Sequence, residues 1–372
     1  MKAVKDFEKI IADELARIER MKTVERIDFA ALKLIKIGLV EGDGIGPLIS
    51  AAARRVLEVI LADEIKRGKV EIVTIQGLTL ENRIKVMKAI PDDVLAQIKE
   101  CHVILKGPTT TPEAGSGLPN LESANVRMRK ELDLFANVRP VLIPELGIDW
   151  CFFRENTEGA YAVGSRGVTI NEDLAIDFTV TTRAGTERIV RAAFDYAVAH
   201  GKTKVAVVTK ANVIKATDGK FLTICREIAE REYPSLVVES WYADIIAAHL
   251  INESTRSSFQ VFVCPNLYGD ILTDEAAQIQ GGVGTAASAN IGSCYAMFEA
   301  IHGSAPRLIA EGRGAYADPR GLIRGAAMLL AHIGFSEKAA KLNAAIDGLA
   351  CGVYESTETC EEYTERLVKS VG

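Results

Sequence analysis

Short apolar, β-rich runs alternating with helical stretches predict an α/β protein with a largely parallel sheet. Two observations carry that reading. KLIKIGLV (33–40) is closed by EGDGIGP (41–47) and followed by a helical pattern over 48–65. The alternation recurs at VEIVTI (70–75), HVILKG (102–107), KVAVVTK (204–210), SLVVESWY (235–242) and QVFVCPN (260–266). PDDVLAQIKE (91–100) is a helix, with Pro91 at its start and acids in its first turn. Residues 149–182 differ: CFFREN, the AYAVG segment and VTINEDLAIDFTVTT read as strands with little helix between them, a β-rich insertion. From about 320 the pattern is helical again. At the other end, Val4, Phe7, Ile10, Ile11, Leu15 and Ile18 fall at helical spacing, so residues 4–18 form an amphipathic helix packed on the body or on another subunit.

The bulk properties narrow the partners. A chain of 372 residues implies two domains or one large one. A composition of 48% apolar and 25% charged residues builds a core without staples. The net charge of −6 argues against non-specific nucleic-acid or membrane binding, so an anionic ligand needs a local cluster of Arg and Lys. The seven cysteines are scattered, with no C-x-x-C pair, which points away from disulfides and zinc and toward a reducing cytoplasm. No apolar run approaches the roughly 20 residues that span a bilayer. Asp6, Glu8, Asp13 and Glu14 fit neither a secretory signal nor a transit peptide.

Gly42, Gly44 and Gly46 follow a strand and open a helix, but their spacing is G-x-G-x-G, and a tight turn competes with a pyrophosphate loop. Asp270 and Asp274 stand four apart at an expected helix start, so their carboxylates point the same way and suit Mg²⁺. Asp244, before another short helix, could add a third oxygen; helix capping and a solvated acidic face account for the same acids. Arg127, Arg129, Arg139 and Arg154 lie close in sequence, and several guanidinium forks would suit a substrate with two or three carboxylates, against ordinary surface pairing. Tyr161 and Lys210, the latter ending a strand, are candidate proton-transfer groups as well as ordinary structural residues.

Read together, EGDGIGP, KGPTTTP, SANVRMRKELDLFANVRP, FRENTEGAY, TKANVIK, NLYGDILTDEAA, GGVGTAASANIG and EAIHGSAP occur in one order over roughly residues 33–370. That series resembles the β-decarboxylating dehydrogenases: isocitrate, isopropylmalate, homoisocitrate and tartrate dehydrogenases. The resemblance implies an isopropylmalate-dehydrogenase-like fold of two α/β domains, not a Rossmann fold. It implies an N-terminal helical extension (1–32), a discontinuous cofactor-side domain (33–135 with 282–372) and a smaller domain (136–281). A small β arm at about 160–182 would join the subunits of a homodimer or larger assembly with shared active sites.

The same resemblance assigns Arg129, Arg139 and Arg154 to substrate carboxylates. Asp270 and Asp274 would hold Mg²⁺ or Mn²⁺ with the partner subunit's Asp244. Lys210, working in the neighbouring site, and Tyr161 would move protons. Thr111 and His302, Gly303, Ser304, Ala305 and Pro306 would contact the dinucleotide. Ser123 and Asn125 stand where isopropylmalate enzymes place apolar residues, which favours isocitrate, oxidised to 2-oxoglutarate and CO₂ in the tricarboxylic acid cycle. Homoisocitrate or isopropylmalate is the alternative substrate, and a non-catalytic regulatory subunit the alternative role. Departures from the family pattern fall at the cofactor and the substrate loop. Arg307 replaces a usual Asp, Leu308 lacks an aromatic partner, Asp318 replaces an Asn, and the stretch 112–122 is lengthened. The cofactor is NAD or NADP, with the incomplete phosphate pocket favouring NAD.

Overall fold

The structure is a computed structural model that describes residues 2–22, 26–112, 115, 117–163, 167–282, 286–353 and 357–372. Parts of four expected features lie outside them: residues 23–25 of the extension, 113, 114 and 116 of the lengthened loop, 164–166 of the arm, and 283–285 of GGVGTAASANIG. The chain forms two compact units, one of Arg26–Leu134 with Gly281–Gly372 and one of Met1–Glu25 with Phe135–Gln280.

In the first unit, β1 (Ile35–Val40) pairs in parallel with β2 (Val70–Ile75) and β3 (Val103–Lys106). Val103, Ile104 and Leu105 are buried, as the continuous apolar run of a strand covered on both faces requires. Ile75, Ile98, Ile104, Met128 and Met297 pack into one core. Gly42 and Gly44 have left-handed φ of 73° and 60°, so EGDGIGP is the tight turn. A Cβ on Gly44 would stand 2.1 Å from the Ser304 carbonyl oxygen. The helix expected over 48–65 is two, Gly46–Ile60 and Ala62–Lys66.

The chain then builds the second unit. β4 (Ala136–Ile143) runs antiparallel to β5 (Ile148–Glu155). β6 (Val168–Asn171) and β7 (Leu174–Ile176) form a separate antiparallel pair, the exposed part of the β-rich insertion. β8 (Lys204–Thr209), β9 (Val237–Tyr242) and β10 (Val261–Cys264) are parallel, in the order β5-β10-β8-β9. Helices follow each of the three. Phe152 and Phe262 stack at 4.2 Å between ring centroids at the centre of a core that includes Trp150, Ile246 and Leu272.

The AYAVG expectation is corrected: Ala160–Val163 is a single helical turn. Two of its four residues are Ala, the best helix former, and in so short a segment they and the tertiary context outweigh the β preference of Tyr161 and Val163. The N-terminal helix is longer than predicted, Lys2–Met21, and belongs with the second unit. Ile10 is its buried anchor, and Phe7 stacks on Phe178 at 4.9 Å.

The chain re-enters the first unit with β11 (Ala287–Ile291), antiparallel to β12 (Ala296–Ala300), which pairs in parallel with β3. The helices Arg320–His332, Ser336–Gly348 and Cys360–Val371 complete it. The last begins with a capping box between Thr359 and Glu362.

Candidate active site

In the second unit, the strand end of β5 and the helix Asn266–Ile279 bring Arg154, Tyr161 and Asp270 together. Arg154 is 1% exposed, and its guanidinium is used on several sides. Nε and Nη2 donate to Asn266 Oδ1 at 2.9 and 2.7 Å, and Nη1 pairs with the Asp270 carboxylate. Tyr161 Oη donates to the other oxygen of Asp270 at 2.9 Å, and its ring lies 5.6 Å from the Arg154 guanidinium carbon. One turn further along the helix, Asp274 accepts from Arg139 Nη1 at 2.6 Å, while Arg139 Nε is held by Asn137 at 3.0 Å.

The two aspartates thus share a helix face, but not at the helix start. The helix begins at Asn266, so Asp270 and Asp274 lie beyond the first turn, where the helix dipole no longer eases their repulsion. The arginines neutralise them instead. Asp244 is elsewhere in the same unit. It stands in the first turn of the helix Ala243–Ile251 and accepts from Lys210 Nζ at 2.5 Å. That hydrogen bond holds its carboxyl below the usual range. Among the described residues of this one chain, no three His, Cys, Asp or Glu side chains converge as a metal cage. Hard carboxylate oxygens on one face, as Asp270 and Asp274 offer, are nonetheless a donor set that suits Mg²⁺ or Mn²⁺.

In the first unit, Ser123 precedes the helix Ala124–Glu131 and its hydroxyl makes no capping bond. Asn125 Oδ1 accepts from Thr109 Oγ1 at 3.1 Å. Arg129 sits 3.6 Å from Glu299, with its Nε buried and without a hydrogen-bond partner. Arg127, by contrast, makes the ordinary exposed i,i+4 pair, with Glu131 at 2.7 Å.

The loop His302–Pro306 lies against the β1 turn: Ser304 Oγ is 2.7 Å from Thr110 Oγ1, and the Ile45 amide donates to the Ser304 carbonyl at 3.1 Å. Ala305 takes a left-handed φ of 48°, a strained conformation for a residue with a Cβ. His302 Nδ1 lies 3.0 Å from the Gly303 carbonyl, and its Nε2 is buried without a partner. Thr111 is exposed, and the Arg307 side chain is 91% exposed beside Glu311. Asp318 is engaged by the backbone N–H of Arg320 and by its guanidinium at 2.7 Å.

Three structural groups were not singled out in the sequence. Asn266 fixes Arg154. Lys106, 1% exposed, pairs with Glu299 at 3.3 Å. Burial works to raise the Glu299 carboxyl, but Lys106 and Arg129 outweigh it and hold it below its ordinary value. The lone acid in the apolar run CYAMFEAI (294–301) is a readable signal for that pair. Arg83 is fully buried, with its guanidinium donating to the carbonyls of Ala89 (2.8 Å), Thr110 (2.7 Å) and Glu122 (3.0 Å).

The family profile described as isocitrate/isopropylmalate dehydrogenase matches residues 36–358. The homoisocitrate dehydrogenase of Methanocaldococcus jannaschii is 36% identical, over 82% of this chain and 87% of that protein. A mitochondrial regulatory subunit of the isocitrate dehydrogenase [NAD] of Dictyostelium discoideum is 34% identical, over 94% of this chain and 95% of that one. The crystal structure of isocitrate dehydrogenase from Methylococcus capsulatus superposes with a TM-score of 0.77 at 36% identity, covering 91% of this chain and 99% of that chain. Other isocitrate dehydrogenase relatives carry NAD or NADP in their names. Fold and likeness together define the class, an α/β dehydrogenase. The chain belongs to the isocitrate/isopropylmalate dehydrogenase family.

Proposed function

We propose that this chain oxidises isocitrate with NAD(P) and releases CO₂ and 2-oxoglutarate. The observation that carries the reading is the cluster in which Tyr161, Arg154 and Asn266 converge on Asp270, with Arg139 on Asp274 one turn away. Arg129, Arg139 and Arg154 would bind substrate carboxylates. Asp270 and Asp274 would hold Mg²⁺ or Mn²⁺, with the partner subunit's Asp244. When bound, that ion lowers the pKa of a ligated hydroxyl and polarises the oxygen of a keto group. Lys210, held by Asp244 in its own chain, would take the hydroxyl proton in the neighbouring site. Tyr161 would deliver a proton to the carbon that loses CO₂, its Oη kept in place by Asp270.

Thr111 and the loop His302, Gly303, Ser304, Ala305 and Pro306 would hold the dinucleotide, with Arg307 and Asp318 toward its adenosine end; when bound, it would supply the hydride acceptor. The unpartnered Nε2 of His302 fits a polar ligand there. The Ser123 hydroxyl, which makes no capping bond, and the Asn125 amide suit a third carboxylate better than an alkyl group. The incomplete phosphate pocket, with Arg307 exposed beside Glu311, favours NAD. The β6–β7 arm, with Ile170, Leu174 and Ile176 exposed, suits pairing with a second copy of the chain. The domain limits proposed for this enzyme remain 33–135 with 282–372 for the cofactor side and 136–281 for the smaller domain.

Two relatives favour second readings: homoisocitrate as substrate, and a regulatory role without catalysis. Initial rates with isocitrate, homoisocitrate and isopropylmalate, each with NAD and NADP and Mn²⁺, separate them. Isocitrate is expected to give the highest kcat/KM, and EDTA to abolish it. A faster homoisocitrate reaction overturns the substrate, and inactivity toward all three overturns the catalytic reading.

A further inference from the structure

The N-terminal helix Lys2–Met21 ends near two buried acids of the FRENTEGAY segment. Glu155 is 2% exposed and Glu158 is 3% exposed. Glu155 accepts from the Thr157 amide (2.9 Å) and hydroxyl (2.7 Å), and from the Glu158 amide at 2.5 Å. Arg188, which donates to Thr157 Oγ1 at 3.1 Å, attracts the Glu155 carboxylate. Glu158 Oε2 accepts from the Thr182 amide at 2.9 Å and its Oε1 from the Thr182 hydroxyl at 2.5 Å. Arg17 brings a cation onto that same oxygen: Nη2 meets Glu158 Oε1 at 2.5 Å, and Nε is braced by Glu14 at 2.8 Å. The site is fitted to the carboxylate, since a Cβ on Gly185 would stand 2.1 Å from Glu158 Oε1.

Glu158 is in turn wired to the candidate site through its backbone. Its carbonyl accepts from Asn266 Nδ2 at 3.0 Å, and the same Asn266 holds Arg154 through Oδ1. Gly159 bridges to Val180 and opens onto the helical turn that carries Tyr161. A continuous path of bonds therefore runs from Arg17 through Glu158 and Asn266 to Arg154, Asp270 and Tyr161.

We infer that Arg17 is a positioning residue: by neutralising buried Glu158 it fixes the turn that aims Tyr161 and the Asn266 that orients Arg154, so the N-terminal extension is part of the catalytic apparatus. This rests on the catalytic reading above. Without Arg17, a buried carboxylate beside Glu155 loses the cation bonded to it, and the segment must shift to hydrate it. Displacements of about 1 Å at a reacting group are enough to lower turnover by one to two orders of magnitude.

The test compares the wild-type chain with R17K, R17M and R17M/E158Q. Kinetic constants are measured with isocitrate, Mn²⁺ and the preferred cofactor, and backbone amide exchange is measured over residues 156–163. R17M is expected to lower kcat about tenfold, leave the KM for cofactor unchanged and speed exchange in that segment. R17K is expected to restore most of kcat, and R17M/E158Q to recover part of it by removing the stranded charge. An R17M protein with wild-type kcat and exchange overturns the inference, as does a loss that neither R17K nor the double variant recovers. Should R17M alone fail to fold, R17K and the double variant still decide by the same criteria. If the wild-type chain has no activity on isocitrate, the catalytic reading falls, and exchange over 156–163 alone decides whether Arg17 holds the segment.

Discussion

The cluster around Tyr161 and the loop His302–Pro306 hold their polar groups by different means. In the first, long-range side-chain bonds build the site in advance: Arg154 is fully buried and committed to Asn266 and Asp270. In the second, the loop is held by short contacts, the Ser304 hydroxyl on that of Thr110 and the Ile45 amide on the Ser304 carbonyl, and its charged side chain Arg307 stands in solvent. Pre-oriented side chains lower the cost of reaching a charged transition state. Main-chain groups recognise a phosphate by its charge, and leave selectivity to the exposed residues at the edge. The chemistry is therefore expected to be rigidly specified and the cofactor preference easily changed.

The sharpest break in that contrast would come from Tyr161→Phe. It removes one hydroxyl from the pre-built side, and kcat is expected to fall by about 10²–10⁴-fold, the range for a positioned acid–base group. Thermal unfolding should stay close to wild type, because the ring and its contact with Arg154 remain; an unaltered kcat would reduce Tyr161 to a packing residue.

A second difference concerns acid. In the Tyr161 unit, burial and then the neighbouring Glu158 push the Glu155 carboxyl up, so protonation favours the folded state and stability is lost as pH rises through the raised pKa. In the other unit, burial pushes His332 down from 6.5 to about 4, where it packs against Phe29 and Phe298. The unfolded chain then holds the imidazole proton more tightly, so that contribution is complete above pH 6.5 and is lost as pH falls toward about 4. Its size is about 2 kcal/mol, discounted for partial solvent contact. His332→Phe should flatten the loss between pH 6.5 and 4 in denaturant titrations followed by amide exchange in residues 320–348. An unchanged slope would assign the acid sensitivity to other groups.

The smallest effect sharpens the claim about selectivity. Arg307→Asp should move the ratio of kcat/KM for NAD over NADP by about tenfold toward NAD, roughly 1.4 kcal/mol, while leaving the isocitrate KM unchanged. A shift in the isocitrate KM instead would mean that the exposed edge and the chemistry are coupled after all.

Much of this was legible in the sequence, and the exceptions have a common cause. The strand VEIVTI occupies the predicted residues 70–75, because β-branched residues flanked by turn signals leave few alternatives. AMFEA, by contrast, pairs with β3 and β11 although Phe298 alone among its residues favours a strand. AYAVG reads as a strand yet is helical, because four residues carry too little periodicity to decide between a strand and a turn of helix. Arg154 and Asp270 could be named as candidates from residue type and local pattern. Asn266, which orients the arginine across 112 residues of sequence, could not, since no local pattern records a partner so distant.

The buried Arg83 has an implication for how such loops diverge. It grips Ala89, Thr110 and Glu122 by their carbonyl oxygens, a group that every residue possesses. A side-chain substitution at 110 or 122 therefore leaves both mooring points in place, because the bonds are made to the main chain. Grafting a relative's segment between these two anchors should succeed as long as Arg83 is retained.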